Sequence, residues 1–145
     1  MADFTSGSFR PVLSDPALAA GADPAAVRRI ILCAGKIYYD LAERRAKEGR
    51  GDIALVRVER LYPLPAAEIA AELGRYPAAA QVAWTQEEPA NMGAWPSMGL
   101  ALPQVVGRPV FPITLPASSA PAAGSAKAHA QEHGGLVTAA LHIDG

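Results

Sequence analysis

Cysteine and aromatic residues are scarce in this chain. Cys33 is the one cysteine in 145 residues, so an internal disulfide is excluded and the composition is typical of a reducing compartment. Aromatic residues make up 6% of the chain, whereas hydrophobic residues make up 50%, many of them alanine. A chain of this length suits one domain that buries about two-thirds of its unfolded surface. We therefore expect one core of Ile, Leu and Val with few large rings.

Long apolar runs and an excess of charge of one sign are also absent. No run approaches the roughly 20 apolar residues that span a bilayer, and the N-terminus lacks the basic-then-apolar pattern of a signal peptide. The 13 basic and 14 acidic residues give a formal net charge of −1. That balance offers no electrostatic reason to expect nucleic acid or an anionic membrane as a partner. The prediction is a cytoplasmic protein that binds neither.

Common catalytic signatures are missing as well. The sequence has no G-x-S-x-G nucleophile elbow, no G-x-G-x-x-G after a predicted strand, and no Cys/His nucleophile pair. Composition and single motifs therefore lead no further than a domain that is structural or binds a ligand.

What the chain does have is an alternation of short apolar runs with amphipathic segments. Residues 1–27, rich in Pro, Ala, Gly and Asp, predict an irregular arm; residues 28–141 form the predicted domain and 142–145 a tail. Periodicity predicts strands at 29–34, 53–58, 81–86 and 110–113, and helices at 36–48, between Pro65 and Gly74, and at 125–141. Strands and helices in this order predict βαβ units and a mostly parallel sheet.

The segment WTQEEPANMGAW, residues 84–95, stands out in this alanine-rich chain. It follows the third predicted strand, and Asn91 is placed to cap a short helix beginning near Met92. Trp84 and Trp95 are expected to brace the turn by packing. Five prolines follow, and they predict an irregular stretch: Pro96, Pro103, Pro109, Pro112 and Pro116.

Ligands of open parallel α/β folds collect where strands end at their carboxyl side. Lys36 lies there, at the start of a helix, where a cation opposes the helix dipole. An anion bound between Lys36 and the backbone amides would explain the lysine, and a solvated surface lysine is the alternative.

Glu87 and Glu88 raise the question of paired carboxylates for acid/base chemistry. Adjacent strand residues point to opposite faces, so the two are not expected to share a proton. We expect a structural role at the turn, in which one carboxylate bonds the backbone or pairs with an arginine.

The last predicted helix carries His129 and His133 in an H-x-x-E-H pattern. Two histidines four apart on a helix can hold zinc, with Glu132 activating water. A catalytic site needs a third protein ligand, and His142 or Asp144 are the candidates that follow. Two exposed helical histidines without metal are the favoured interpretation.

Gly124 and Ser125 begin this helix, where backbone amides can hold an anion. Capping of the helix by Ser118, Ser119 or Ser125 is an equally good explanation.

Five segments taken in order resemble a known family. SFRPVL (8–13), ILCAGKIYYDLAERRA (31–46), DIALVRVERLYPLP (52–65), WTQEEPANMGAWP (84–96) and SAPAAGSAKAH (119–129) are similar to the C-terminal domain of the 2-oxoglutarate dehydrogenase family. WPSMGLALPQ looks most like the actinobacterial branch, which includes fused multifunctional 2-oxoglutarate decarboxylases. The resemblance covers roughly residues 3–140.

The resemblance implies a transketolase C-terminal-like fold, a three-layer α/β/α sandwich around a mostly parallel sheet of about five strands. In the parent enzyme this domain follows and packs on the domains that hold thiamine diphosphate and Mg²⁺, and it helps to build a homodimer. The parent reaction decarboxylates 2-oxoglutarate and passes a succinyl group to lipoamide in the tricarboxylic acid cycle. This chain lacks the GDG…N motif for that cofactor, so it is expected to bind no cofactor and to be inactive alone. The segment that begins at Met1 resembles an internal segment of the longer family members. We therefore expect a detached domain, a truncated reading frame or an excised piece.

Acetyl-CoA activates the actinobacterial members by binding to this domain. The positions that match are Arg10, Lys36 and Gln86, which makes a free-standing acyl-CoA or nucleotide-binding module the alternative function. The chain departs from the family at Leu115-Pro116, where relatives carry two arginines suited to a nucleotide phosphate. Without those arginines the chain would lose two charge-assisted phosphate contacts, each worth roughly 1.5–3 kcal/mol of binding free energy, and this loss could abolish useful affinity. A zinc hydrolase using His129 and His133 is the weaker third hypothesis.

Overall fold

A computed structural model describes residues 10–115 and 126–143 of the protein, with the side chains of residues 126–131 outside the description. The described strands are β1 (Val12–Leu13), β2 (Arg29–Cys33), β3 (Ile53–Val58), β4 (Gln81–Pro89) and β5 (Val110–Leu115). The α-helices are α1 (Pro16–Ala19), α2 (Ile37–Glu48), α3 (Ala66–Leu73), α4 (Trp95–Val106) and α5 (Ala126–Leu141), and a 3₁₀ turn spans Pro24–Ala26. Within this part of the chain no helix has both the length and the apolar character to cross a membrane.

The strands form one sheet in the order β1-β3-β2-β4-β5. The four long strands run parallel, because the helix after each of β2, β3 and β4 returns the chain to the end of the sheet where the next strand begins. The short β1 is antiparallel to β3 and covers its outer edge, with Val12 opposite Val58. The prediction of a mostly parallel sheet of about five strands is confirmed.

Two hydrophobic clusters lie on opposite faces of the sheet. One face packs against α3 and α4 through large side chains that include Ile69, Trp84 and Leu102. The other packs against α2 and α5, through residues such as Leu41 and Leu136. Helices on both faces of a sheet make the three-layer α/β/α sandwich that the sequence predicts.

The C-terminal end of α5 is held by two arginines. Arg29 is buried and donates from Nη1 to the carbonyl of Ala140 at 2.7 Å and that of Ala139 at 3.2 Å. Arg50 donates to the carbonyl of Leu141. The last carbonyls of a helix have no partner within the helix and carry negative charge, so these cations satisfy them and fix α5 against the sheet.

The prediction for the segment after β4 is wrong in two respects. The next helix begins at Trp95 rather than near Met92, and the Asn91 side chain does not cap it. That helix is 12 residues long and includes Pro96 and Pro103, where the prolines suggested irregular structure. Pro96 lies in the first turn, where its missing N–H costs nothing. Burial of one face of α4 against the sheet outweighs the intrahelical bond lost at Pro103.

The part of the N-terminal arm between residues 12 and 26, predicted to be irregular, forms regular elements. It contributes β1, α1 and the 3₁₀ turn. Asp15 caps α1 by accepting a hydrogen bond from the N–H of Ala17 at 3.0 Å, and Pro16 occupies the first helical position. The capping signal of an aspartate followed by proline is present in the sequence and could have predicted this turn.

Candidate functional site at the carboxyl edge of the sheet

The sheet topology brings Arg10, Lys36 and Gln86 to one edge. Strands β2 and β4 are parallel neighbours with Cys33 opposite Thr85, so Lys36 and Gln86 both follow at their carboxyl ends. Arg10 precedes the antiparallel β1, and the Glu59 N–H donates to the carbonyl of Pro11 at 2.7 Å. Arg10 therefore lies beside the carboxyl end of β3, and all three predicted ligand residues share this edge.

Lys36 is exposed at the start of α2. It occupies the N-cap position, where no side chain caps the helix. Within the described part of the chain its ammonium group has no ion-pair or hydrogen-bond partner. The first N–H groups of α2 and the Lys36 ammonium group together give this part of the carboxyl edge a positive electrostatic potential.

Gln86 is buried, with 4% of its surface exposed, and it joins β4 to the start of α4. Its Oε1 accepts from the Trp84 indole N–H at 3.0 Å and from the Trp95 backbone N–H at 2.8 Å. Its Nε2 lies 2.7 Å from the carbonyl oxygen of Met92 and 3.0 Å from that of Pro89, and it donates to both.

These contacts use the full hydrogen-bonding capacity of the Gln86 amide, which has two donors and two acceptor positions. They fix the loop of residues 90–94 between β4 and α4, and they hold the indole of the buried Trp84 on β4. The geometry therefore gives Gln86 a clear structural role. A direct contact of Gln86 with a ligand, which the resemblance implies, would require some of these bonds to break.

Glu87 and Glu88 lie within β4 rather than in a turn after it. Glu87 is half-buried and its Oε1 lies 3.4 Å from Nδ1 of His133 on α5. Glu88 is exposed and lies over Gly93, where a Cβ would stand 3.1 Å from its carboxyl carbon. Gly93 also has a φ of 64°, so this loop position favours glycine for two reasons. Glu87 thus lies beside a histidine, where the sequence predicted a backbone bond or an arginine partner for one of the two carboxylates.

His133 connects three elements of the fold. Its Nε2 lies 2.9 Å from Oδ2 of Asp40 on α2, and its Nδ1 faces Glu87 on β4. The two contacts come from α2 and β4, and not from the helix that carries the H-x-x-E-H pattern. The side chain of His129 and the residues Gly124, Ser125 and Asp144 lie outside the described part of the structure, so the predictions made for them stay predictions.

Exposed aromatic and apolar side chains also gather at the carboxyl edge. Tyr39 on α2 is 63% exposed, and Tyr62 in the loop after β3 is 92% exposed, next to the partly exposed Leu61. The Arg57 guanidinium stacks on Tyr38, 4.4 Å from the ring centre, and reaches Tyr39 at 5.9 Å. Large exposed rings at the same end of a sheet are typical of a contact with another protein surface.

Sequence reasoning missed the most buried ion pair among the described residues. The Asp15 carboxylate is 3% exposed and forms a bidentate salt bridge with the Arg45 guanidinium. Nη2 donates to Oδ1 at 2.9 Å, and Nη1 donates to Oδ2. Asp15 also accepts from the Leu55 N–H at 2.9 Å. Burial by itself raises the pKa of Asp15, but the Arg45 hydrogen bonds and two backbone donors outweigh burial and hold this pKa below its ordinary value.

Cys33 is not a nucleophile in this fold. It lies fully buried in β2, and loss of hydration raises the pKa of its thiol to about 12. The thiolate needed for attack is therefore not populated at neutral pH, which agrees with the absence of a Cys/His pair in the sequence.

Comparison with known proteins decides the family. Over residues 1–141 the chain matches the family model described as 2-oxoglutarate dehydrogenase C-terminal. The chain belongs to this 2-oxoglutarate dehydrogenase C-terminal family. The resemblance identified from its motifs is thereby confirmed.

The curated relatives of this C-terminal domain are much longer proteins. A "Multifunctional 2-oxoglutarate metabolism enzyme" of Mycolicibacterium vanbaalenii is 47% identical over 143 residues, covering 96% of this chain and 12% of the relative. A protein with the same name from Mycobacterium sp. strain KMS is 47% identical over 134 residues, covering 90% of this chain and 11% of the relative. The domain thus spans about an eighth of the length of these relatives.

A solved structure shows the same fold at low sequence identity. The split gene transketolase in an inactive β4 tetramer superposes with a TM-score of 0.54 at 16% identity, covering 92% of this chain and 42% of that chain. A likeness at this identity concerns the fold alone. The transketolase C-terminal-like fold predicted for this 2-oxoglutarate dehydrogenase C-terminal domain is confirmed.

Proposed function

We propose that this domain is the C-terminal structural module of a larger cytoplasmic enzyme that decarboxylates 2-oxoglutarate and passes a succinyl group to lipoamide in the tricarboxylic acid cycle. The observation that carries the proposal is the match of nearly the whole chain to a domain that makes up about 12% of its relatives. The remaining domains of the enzyme supply the thiamine diphosphate and Mg²⁺ sites. The isolated chain has no turnover.

The exposed carboxyl edge supports a contact with those other domains. Tyr39, Leu61 and Tyr62 present apolar surface there, and Arg57 adds a stacked cation. Burying such rings contributes roughly 25 cal/mol per Å² of apolar surface, which favours association over exposure to water. The same surface is available to a second copy of the enzyme in a homodimer.

An exchange experiment tests this function. The C-terminal domain of the Mycolicibacterium vanbaalenii enzyme is replaced by this chain, and 2-oxoglutarate decarboxylation is measured with thiamine diphosphate and Mg²⁺. We expect a rate within about tenfold of the parental enzyme, a loss of no more than about 1.4 kcal/mol in activation free energy. An exchange enzyme no more active than a variant lacking the domain would contradict the proposal.

Two matched substitutions locate the contact. Tyr62→Ser removes an exposed ring at the carboxyl edge, and Leu100→Ser removes an exposed apolar side chain from α4. In the exchange enzyme we expect Tyr62→Ser to lower activity and Leu100→Ser to leave it unchanged. The reverse order would place the contact on α4 instead.

A second function, binding of acetyl-CoA or a related acyl-CoA or nucleotide, is favoured by the grouping of Arg10 and Lys36 at one edge. Lys36 has no partner among the described residues and sits at a helix start, where it can contact a phosphate group. Gln86 contributes indirectly, by holding the loop between β4 and α4.

Calorimetric titration of acetyl-CoA into the isolated chain tests this second function. We expect Lys36→Ala to weaken binding about tenfold or more, as the loss of one charge-assisted contact predicts. Lys47→Ala, an exposed lysine in the last turn of the same helix, serves as the control and leaves the affinity unchanged. The absence of heat with the unmodified chain would remove acetyl-CoA as a ligand.

A further inference from the structure

His133 faces two carboxylates that a neutral imidazole cannot both satisfy. The Nε2–Asp40 distance of 2.9 Å is that of an ordinary N–H···O hydrogen bond. The Nδ1–Glu87 distance of 3.4 Å is longer than such a bond. A neutral imidazole carries one N–H, so donation from Nε2 to Asp40 leaves Nδ1 as an unprotonated acceptor 3.4 Å from a carboxylate oxygen.

Two acceptors that face each other at this distance suit a shared metal ion. Zinc lies about 2.0–2.1 Å from histidine nitrogen and from carboxylate oxygen, so two of its tetrahedral ligands stand about 3.3 Å apart. Nδ1 of His133 and Oε1 of Glu87 are separated by 3.4 Å. The pair therefore has the spacing of two ligands of one ion without any rearrangement of the backbone.

Asp40 completes the arrangement that metal-bound histidines commonly have. A ligating imidazole usually donates its other N–H to a carboxylate, which fixes the tautomer and raises the basicity of the ligating nitrogen. Ligand atoms of Asp40, Glu87 and His133 all lie within 4.8 Å of one another.

From this geometry we infer that Glu87 and Nδ1 of His133 bind a divalent transition-metal ion such as Zn²⁺, with Asp40 as the positioning residue. The site joins α2, β4 and α5 at one point of the fold. It differs from the zinc hypothesis based on the H-x-x-E-H pattern, because its second ligand comes from β4 and not from His129.

The test is calorimetric titration of ZnCl₂ into the isolated chain at neutral pH after treatment with a chelator. We expect one zinc ion per chain. Glu87→Gln and His133→Gln should each weaken binding at least tenfold, while Glu88→Gln, the neighbouring exposed carboxylate, leaves it within about twofold. Far-UV circular dichroism of every variant checks that the fold is retained.

The role of Asp40 has its own readout. Asp40→Asn should weaken zinc binding by about tenfold, and it should also change the tautomer of His133, measured by the ¹⁵N chemical shifts of the ring in the metal-free chain. A purely structural role of Asp40 would not move those shifts.

Three results would overturn the inference. One is the absence of zinc binding by the unmodified chain, and another is unchanged affinity in Glu87→Gln. The third is loss of binding in His129→Gln with retention in Glu87→Gln, which would assign the metal to the two histidines of α5.

Discussion

Helix α2 carries two ionic junctions of opposite character. Near its C-terminal end Arg45 meets the buried Asp15, and near its N-terminal end Asp40 meets the half-exposed His133 and Glu87. At the first junction each carboxylate oxygen of Asp15 has two donors, one from Arg45 and one from the backbone. At the second, one imidazole stands between two carboxylates. The first junction is fully hydrogen-bonded within the protein, and the second is where we propose that a metal ion binds.

The difference separates residues that hold the fold from residues that remain available for binding. A buried charge must be fully paired, because desolvation otherwise costs several kcal/mol. A junction open to water has no such requirement and can keep an acceptor free for a cation. Gln86 belongs with Asp15 in this respect, since it is buried and has every donor and acceptor occupied.

Removal of Asp15 should produce the largest change in stability. Asp15→Ala leaves the Arg45 charge buried and unpaired and the Leu55 N–H without its acceptor. We expect a loss of about 3–5 kcal/mol in the free energy of unfolding, measured by urea denaturation followed by circular dichroism.

Asp40→Ala is the matched change at the other junction of the same helix. Its carboxylate is half exposed, so the metal-free chain should lose no more than about 1 kcal/mol. Equal losses in Asp15→Ala and Asp40→Ala would break the distinction between the two junctions.

Gln86→Leu should give the next largest effect. The substitution keeps the side-chain volume roughly but leaves the Met92 carbonyl, the Trp95 N–H and the Trp84 indole without partners. Each buried group left unpaired costs about 1–3 kcal/mol, and some will regain water, so we expect a loss of about 2–3 kcal/mol. Tryptophan fluorescence during urea unfolding reports it, and a loss within experimental error would show that the loop does not depend on this amide.

The pH dependence of stability provides a smaller effect with a definite sign. The pKa of Asp15 is lowered in the folded protein, so its contribution is present above the unfolded pKa and is lost as pH falls through the folded pKa. The free energy of unfolding should therefore decrease with acidification below about pH 4. Asp15→Asn should show a shallower decrease, and a slope equal to that of the unmodified chain would assign the effect to other carboxyl groups.

The strands and most helices could be predicted from sequence because their periodicity is a local property. The runs at 29–33 and 53–58 are apolar on both faces, as buried parallel strands are. The full length of helix α4 could not be predicted in this way. The sequence predicts only a short helix near Met92, because Pro103 argues against a longer one, and packing on the sheet outweighs that proline. Asn91 failed as a predicted cap because the helix starts at Trp95, whose backbone N–H donates to Oε1 of the Gln86 side chain.

The candidate site was predictable only in part. Alternation of strands and helices placed Lys36 and Gln86 at one edge, which the topology confirms. The partners of His133 depend on how α5 packs beside α2, and no spacing in the sequence encodes the meeting of Asp40, Glu87 and His133. The buried pair of Asp15 and Arg45 likewise joins residues 30 positions apart.

The distinction between the two junctions is tested most directly by the shift in unfolding temperature that zinc produces in three chains. Zinc that binds only the folded state stabilises it in proportion to the logarithm of its concentration. We predict a rise in the unmodified chain, the same rise from a lower starting temperature in Asp15→Asn, and a much smaller rise in Glu87→Gln at the same zinc concentration. An undiminished rise in Glu87→Gln, or no rise in the unmodified chain, would contradict the account.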